Sequence, residues 1–288
     1  MRLTASPALP SLRATMKARL FAFSAVAVAA AAAWSLAEEP KVHPTGYTDT
    51  PQLPNTPKWK VHDDNRPRPT VVTPGKTTAD APSDAVVLFD GKSLEKFRRA
   101  DGSPASKPIT EGAFAATSED KAQAGDIFTR QEFGDCQLHV EWMTPNPPQS
   151  NSQHRGNSGI FMMDRYELQV LDCYNNKTYA DGQAGSIYGE IPPMVNAMRP
   201  PGEWNSYDIV WIAPRFEGDK LLSPAKVTIF HNGVCVQAAA EPFGPTGHRS
   251  VQLYKPHPAK APIRFQDHKD LPSVKYRNIW IRELKPAE

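Results

Sequence analysis

The sequence predicts an all-β fold, an antiparallel sandwich or jelly roll carried behind an extended, proline-rich N-terminal arm. Short runs rich in Val, Ile and aromatic residues recur with Gly, Pro, Asn and Asp between them, the punctuation of many strands joined by turns. No run has the spacing of an amphipathic helix of three turns, and no strand–helix rhythm suggests a parallel sheet. The 29 prolines and 17 glycines fit many turns and one extended segment.

The chain opens on an export-type signal over residues 1–37. Lys17 and Arg19 precede the apolar run Leu20–Trp34, and Ser35-Leu36-Ala37 offers small residues for a signal peptidase. Met16 is an alternative start. The run is shorter than the roughly 20 apolar residues of a comfortable membrane span. The mature chain is therefore expected to have no membrane span and to reside in the periplasm or outside the cell. Residues 38–83 hold nine of the prolines and read as an arm or linker. Within it, Lys58-Trp59-Lys60-Val61-His62-Asp63 is unlike a free linker, and this part of the arm is expected to pack on the domain.

Residues 84–288 read as one β domain. It begins with the strand AVVLFDG and its Asp-Gly turn. Further strands are expected at Phe114–Ala116, Asp126–Thr129, Cys136–Trp142, Gly159–Met162, Tyr166–Leu171, Trp204–Ile212, Lys226–His231, Val234–Ala238 and Val274–Leu284. His231-Asn232-Gly233-Val234 is the clearest hairpin, since Asn-Gly supplies the positive φ of a tight primed turn. The three cysteines, Cys136, Cys173 and Cys235, are an odd number in no zinc spacing and read as buried thiols. A net charge of +2 gives no basic surface for nucleic acid.

The stretch Tyr166–Asp172, YELQVLD, carries the most chemistry. On a regular strand Glu167 and Gln169 share one face while Leu168 and Val170 point to the other. Asp172 has the wrong parity, and joins Glu167 and Gln169 only if a bulge intervenes. Two carboxyls on one strip can serve as acid and base. A long insertion follows, from Cys173 to Glu203, with Tyr174, Tyr179, Tyr188 and several amides. Rings and amides suit a neutral sugar, so the insertion is expected to roof the same cleft. Two further clusters stand out. In Arg155-Gly156-Asn157-Ser158-Gly159 the Asn157 amide can orient a hydroxyl or carbonyl. In the expected loop Arg264-Phe265-Gln266-Asp267-His268, His268 beside Asp267 is a proton-transfer candidate.

From Val86 to Leu284 the chain resembles the 3-keto-disaccharide hydrolase domain family. The resemblance is carried by LFDGKSLEKF, FGDCQLHVEW, GNSGIFMMDRYELQVLD, TYADGQAGSIYG, GEWNSYDI, the HNGV hairpin, RFQDHKD and YRNIWIREL. It implies a concanavalin A-like jelly-roll β-sandwich and sugars oxidised at C3. Glu167-x-Gln169-x-x-Asp172 also resembles the E-x-D-x-x-E strand of bulged-strand β-glucanases, with Gln in the middle and a shorter acid at the end.

These resemblances imply a glycoside-cleaving enzyme that uses a 3-keto-glycoside, by acid/base hydrolysis or by elimination and hydration. Glu167 or His268 would be the base and Asp172 the leaving-group acid. Asn157, Gln169 or Gln266 would hold the ketone oxygen, with Tyr188 and Asp267 also lining the sugar site. No cofactor is called for; a divalent metal is the alternative means of stabilising an enolate. A non-catalytic carbohydrate-binding module on the same concave face is the other reading of these residues.

Overall fold

The computed structural model describes residues 42–54, 56 and 58–285. The expected export segment lies outside them, and no helix among them is long and apolar enough to cross a membrane. The chain divides into two compact units, Met1–Arg68 and Pro69–Glu288. In the first, the described residues fold back on themselves. Gln52 bridges Lys60 and Tyr47 bridges Asp63, while the Gln52 side-chain amide donates to the Trp59 carbonyl at 2.7 Å.

The second unit is a β-sandwich. Its larger sheet runs in the order Val234–Ala240, Lys226–His231, Trp204–Ile212, Cys136–Met143, Lys275–Glu283, Ala113–Ala115 and Ile109–Thr110, and Val86–Phe89 also pairs with Lys275–Glu283. The smaller sheet runs Phe97–Arg98, Ile127–Thr129, Arg264–Phe265, Ser158–Met162 and Tyr166–Val170. All these pairings are antiparallel. The only helices among the described residues are three single 3-10 turns.

Alternation builds the core between the sheets. Leu138, Val140 and Trp142 of one sheet and Ile160, Met162, Tyr166, Leu168 and Val170 of the other join one buried cluster. Tyr166 meets Trp211 with ring centroids 5.1 Å apart, and Phe265 meets Tyr276 edge-on at 5.2 Å. Burying each such side chain contributes about 1.5–3 kcal/mol over leaving it in water. Two hydroxyls also cross the gap. Tyr276 donates to Ser158 Oγ at 2.8 Å and Tyr207 to the Gln169 carbonyl at 2.8 Å. The Asn232-Gly233 hairpin forms as expected, with φ of 53° and 79°. None of the cysteines pairs; Cys136 and Cys173 are buried and Cys235 is half-buried.

Two stretches differ from the sequence reading. Arg264–Phe265 was expected in a loop but is an inner strand of the smaller sheet, paired on both sides. Two residues are too few to show alternation, and the partners supply the ladder. Residues 69–83, read as part of the arm, belong to the sandwich unit. There the Ala79 carbonyl accepts from Asn278 Nδ2 and Trp280 Nε1, both at 2.9 Å.

Candidate active site

Glu167 and Gln169 lie on the face of the smaller sheet opposite the core, because Leu168 and Val170 fill the core side of the same strand. Two loops close over that face. The insertion docks along the free edge of Tyr166–Val170, where Tyr188 N donates to the Glu167 carbonyl at 3.1 Å and Gln169 N to the Ser186 carbonyl at 3.1 Å. Covering the edge this way also removes an open sheet margin. A second loop is pinned by Thr246, whose Oγ1 accepts from Glu167 N at 3.0 Å and donates to the Arg165 carbonyl at 3.1 Å. The result is a cavity of about 280 Å³ lined by Asn157, Phe161, Glu167, Gln169, Tyr188, Thr246, Gly247, His248, Gln266 and His268.

Glu167 is the only carboxyl among these lining residues, and it is buried to 6% exposure. Burial pushes its pKa up to about 8; Arg264 pulls it down, and Asp126 adds to the rise. Arg264 is largely spent elsewhere, bonded to Asp164 at 2.6 Å and Asp126 at 2.7 Å with its guanidinium 3.5 Å over the Phe161 ring. The space for the Glu167 carboxyl is made by Gly159, where a Cβ would collide with Glu167 Oε1 and crowd the Phe161 ring at 2.9 Å.

The Gln169 amide sits between Glu167 and Gln153. Its Nε2 donates to Gln153 Oε1 at 3.0 Å, which leaves its oxygen 3.3 Å from Glu167 Oε1. Reversing the amide would suit an ionised Glu167 and the Ser158 carbonyl. It would also set the Gln169 oxygen 3.0 Å against Gln153 Oε1, and the Gln153 nitrogen is already committed to Thr178 at 2.8 Å and the Gly182 carbonyl at 2.9 Å. A proton on Glu167 would relieve its contact with the Gln169 oxygen but leave that oxygen 3.1 Å from the Ser158 carbonyl, so each orientation sets one pair of acceptors together.

His268 occupies the same cavity with Nδ1 2.8 Å from Asp270 Oδ2. A carboxylate only accepts, so Nδ1 carries a proton, and in the neutral ring Nε2 keeps its lone pair. Asp270 also approaches the exposed His154 at 3.5 Å. Asn157 donates to the Gln153 carbonyl at 2.6 Å, while the Gln266 Oε1 is buried with no partner among the described residues.

The cavity thus brings together Asn157, Glu167, Gln169, Tyr188, Gln266 and His268. It excludes two expected residues. Asp172 does not turn back into the cleft, because Tyr166–Val170 keeps an unbroken register with Ser158–Met162 and no bulge forms. Its carboxylate is buried, bonded to Arg155 Nε at 2.7 Å and Tyr174 N at 3.0 Å. Burial raises its pKa against those two contacts. Asp267 alternates away from Gln266 and His268 to the core side, where Lys107 at 3.1 Å, Thr117 at 2.7 Å and Gly125 N at 2.7 Å hold it. Those bonds and Lys107 lower its pKa against burial. His268 is therefore oriented by Asp270, two residues on. The insertion's amides are likewise structural: Asn176 Nδ2 ties the Asp172 and Ser152 carbonyls, and only Tyr188 of its rings lines the cavity.

Sequence reasoning passed over Thr246, Gly247 and His248, which sit in the loop EPFGPTGHRS. His248 lacks the neighbouring carboxyl that singled out His268, so residue type was its one signal in the sequence. Among the described residues, no group of three or more His, Cys, Asp or Glu could hold a metal ion.

The 3-keto-alpha-glucoside-1,2-lyase-like domain matches residues 84–282. The chain belongs to this family. A solved structure from Parabacteroides distasonis, provisionally named a glycosyl hydrolase, is 43% identical, with a TM-score of 0.71. The likeness covers 84% of this chain and 100% of that one. A curated 3-keto-disaccharide hydrolase of Bacteroides thetaiotaomicron is 27% identical over 157 residues, 43% of this chain and 51% of that protein. The match thus spans about half the length of that relative. The family match covers all ten residues that line the cavity.

Proposed function

We propose that the chain cleaves 3-keto-glycosides by elimination followed by hydration. The observation that carries this reading is a buried carboxyl, whose burial favours its neutral form, and a carboxylate-oriented imidazole in one cavity. Only Glu167 supplies a carboxyl to that cavity, whereas hydrolysis by paired carboxylates needs two flanking the bond. A ketone at C3 removes the need for the second, because it acidifies the hydrogen at C2.

In this reading His268 Nε2 takes the C2 proton, with Asp270 stabilising the imidazolium that results. The C2–H electron pair moves into the C2–C3–O enolate. Glu167, a carboxylic acid at neutral pH, donates to that developing oxyanion, as an acid held neutral by an apolar site does best. The pair then returns to form C1=C2, the glycosidic oxygen leaves with a proton, and water adds back across the double bond. The relative named a 3-keto-disaccharide hydrolase supports the substrate class. The test is to incubate the protein with 3-keto-trehalose, 3-keto-sucrose and the unoxidised parents. Cleavage of the keto sugars alone is expected. Binding without cleavage would return the cavity to a non-catalytic sugar-binding role.

We also propose that the chain is exported, on the strength of the Lys17–Ala37 pattern alone. N-terminal sequencing of the protein from cell fractions checks this, with a start after Ala37 expected.

A further inference from the structure

With Asp172 outside the cavity, the departing oxygen lacks its acid. We propose that His248, fed by the hydroxyls of Tyr188 and Tyr179, protonates the glycosidic oxygen as it leaves. This assignment rests on the keto-glycoside reading above.

Two imidazoles line the cavity, and their outer nitrogens have opposite kinds of partner. His268 Nδ1 faces a carboxylate, which makes Nε2 the acceptor in the neutral ring. His248 Nδ1 lies 3.0 Å from the Tyr188 hydroxyl, which in turn lies 2.7 Å from the Tyr179 hydroxyl. A phenol can donate where a carboxylate cannot. Running inward, Tyr179 donates to Tyr188 and Tyr188 to His248 Nδ1, so the ring proton of neutral His248 sits on Nε2. One histidine then offers a lone pair to the cavity and the other offers a proton. An elimination needs that pairing, since C2 loses a proton while O1 gains one.

The surrounding structure holds this chain in place. Tyr188 is anchored to the catalytic strand through its backbone bond to Glu167, and Thr246 fixes the loop bearing His248 through Arg165. Tyr179 is 42% exposed, so its hydroxyl exchanges with solvent. Burial, with Tyr179 alongside, raises the pKa of Tyr188, which keeps it a conduit for protons and not a resting phenolate.

The step balances. As the C1–O bond breaks, the oxygen keeps the bonding pair and takes the proton from His248 Nε2. His248 Nδ1 receives the Tyr188 proton, Tyr188 receives that of Tyr179, and Tyr179 is reprotonated from solvent. The proton taken from C2 is released to solvent from His268.

Leaving-group dependence separates an acid from a merely structural residue. The substrates are a 3-keto-glucoside of para-nitrophenol, which departs without a proton, and 3-keto-trehalose, whose sugar does not. His248→Ala should lower kcat/KM on 3-keto-trehalose by about a hundredfold or more, the scale of a lost general acid. On the nitrophenyl glycoside it should stay within a few-fold of the wild type. Tyr188→Phe should show the same bias more weakly. His248 is exposed, so its removal should leave the melting temperature unchanged. An equal loss on both substrates, or none on either, overturns the assignment while leaving the keto-glycoside reading in place. A wild-type protein inert to both glycosides overturns that reading and this one with it.

Discussion

Glu167→Gln should inactivate the protein and stabilise it above neutral pH. The carboxyl moves from its ordinary 4.5 to about 8 on folding, because burial disfavours its charged form. Between those values the unfolded chain gives up this proton while the folded chain keeps it. The folded state therefore binds more protons, and stability falls as pH rises. Glu167's contribution is fully present below pH 4.5, declines up to about pH 8 and is absent beyond. Three and a half pH units at about 1.4 kcal/mol each give an upper limit of about 5 kcal/mol. Water entering an open cavity relieves part of that, so about 2–5 kcal/mol is the expected range. Gln has nearly the same shape and cannot ionise, so the variant should lack this slope. The assay is urea unfolding of both proteins at pH 5 and pH 8.5, taking the wild-type minus variant difference so that other groups cancel. The variant should gain on the wild type as pH rises. Parallel stability curves would show that Glu167 ionises normally and would refute the neutral-acid role.

The same titration should appear in kinetics: kcat/KM on a 3-keto-glycoside should fall through about pH 8 as Glu167 ionises. A rise through that pH would make Glu167 the base instead. Asp270→Asn should reduce turnover by about a hundredfold, the scale of a lost partner to a catalytic base, with the melting temperature nearly unchanged. Asp172→Ala should cost about 3 kcal/mol of stability by leaving the Arg155 guanidinium unpaired, while the folded fraction keeps wild-type kcat. A large fall in kcat with intact folding would restore Asp172 to the chemistry. Gly159→Ala should reduce activity far more than stability, because the new methyl takes the space of the Glu167 carboxyl.

Much of this fold is legible in the residues because its strands alternate. Tyr166, Leu168 and Val170 against Glu167 and Gln169 state both the core face and the cavity face of one strand. The same parity rule, applied to Gln266, Asp267 and His268, separates two cavity residues from one that meets Lys107. That reading was hidden by the apparent loop, since Arg264–Phe265 is a strand only by virtue of neighbours far away in the chain. Asp172 failed for the converse reason. A bulge was needed to bring it round, and the chain instead leaves the strand at Val170 to meet Arg155, an ion pair no local pattern announces. His248 reaches the cavity through a loop path held by long-range contacts, such as Thr246 on Arg165, and Asp270 stands behind His268. Sequence can nominate such residues by type but cannot place them.

The central claim is that the C2 proton is removed during cleavage. The measurement is turnover of a 3-keto-glycoside in heavy water, with the released 3-keto-sugar analysed by mass spectrometry and proton NMR. Elimination and rehydration predict one deuterium at C2 of every product molecule and none in substrate recovered before turnover. Cleavage that leaves the C2 hydrogen in place would contradict the account and make the reaction a direct hydrolysis.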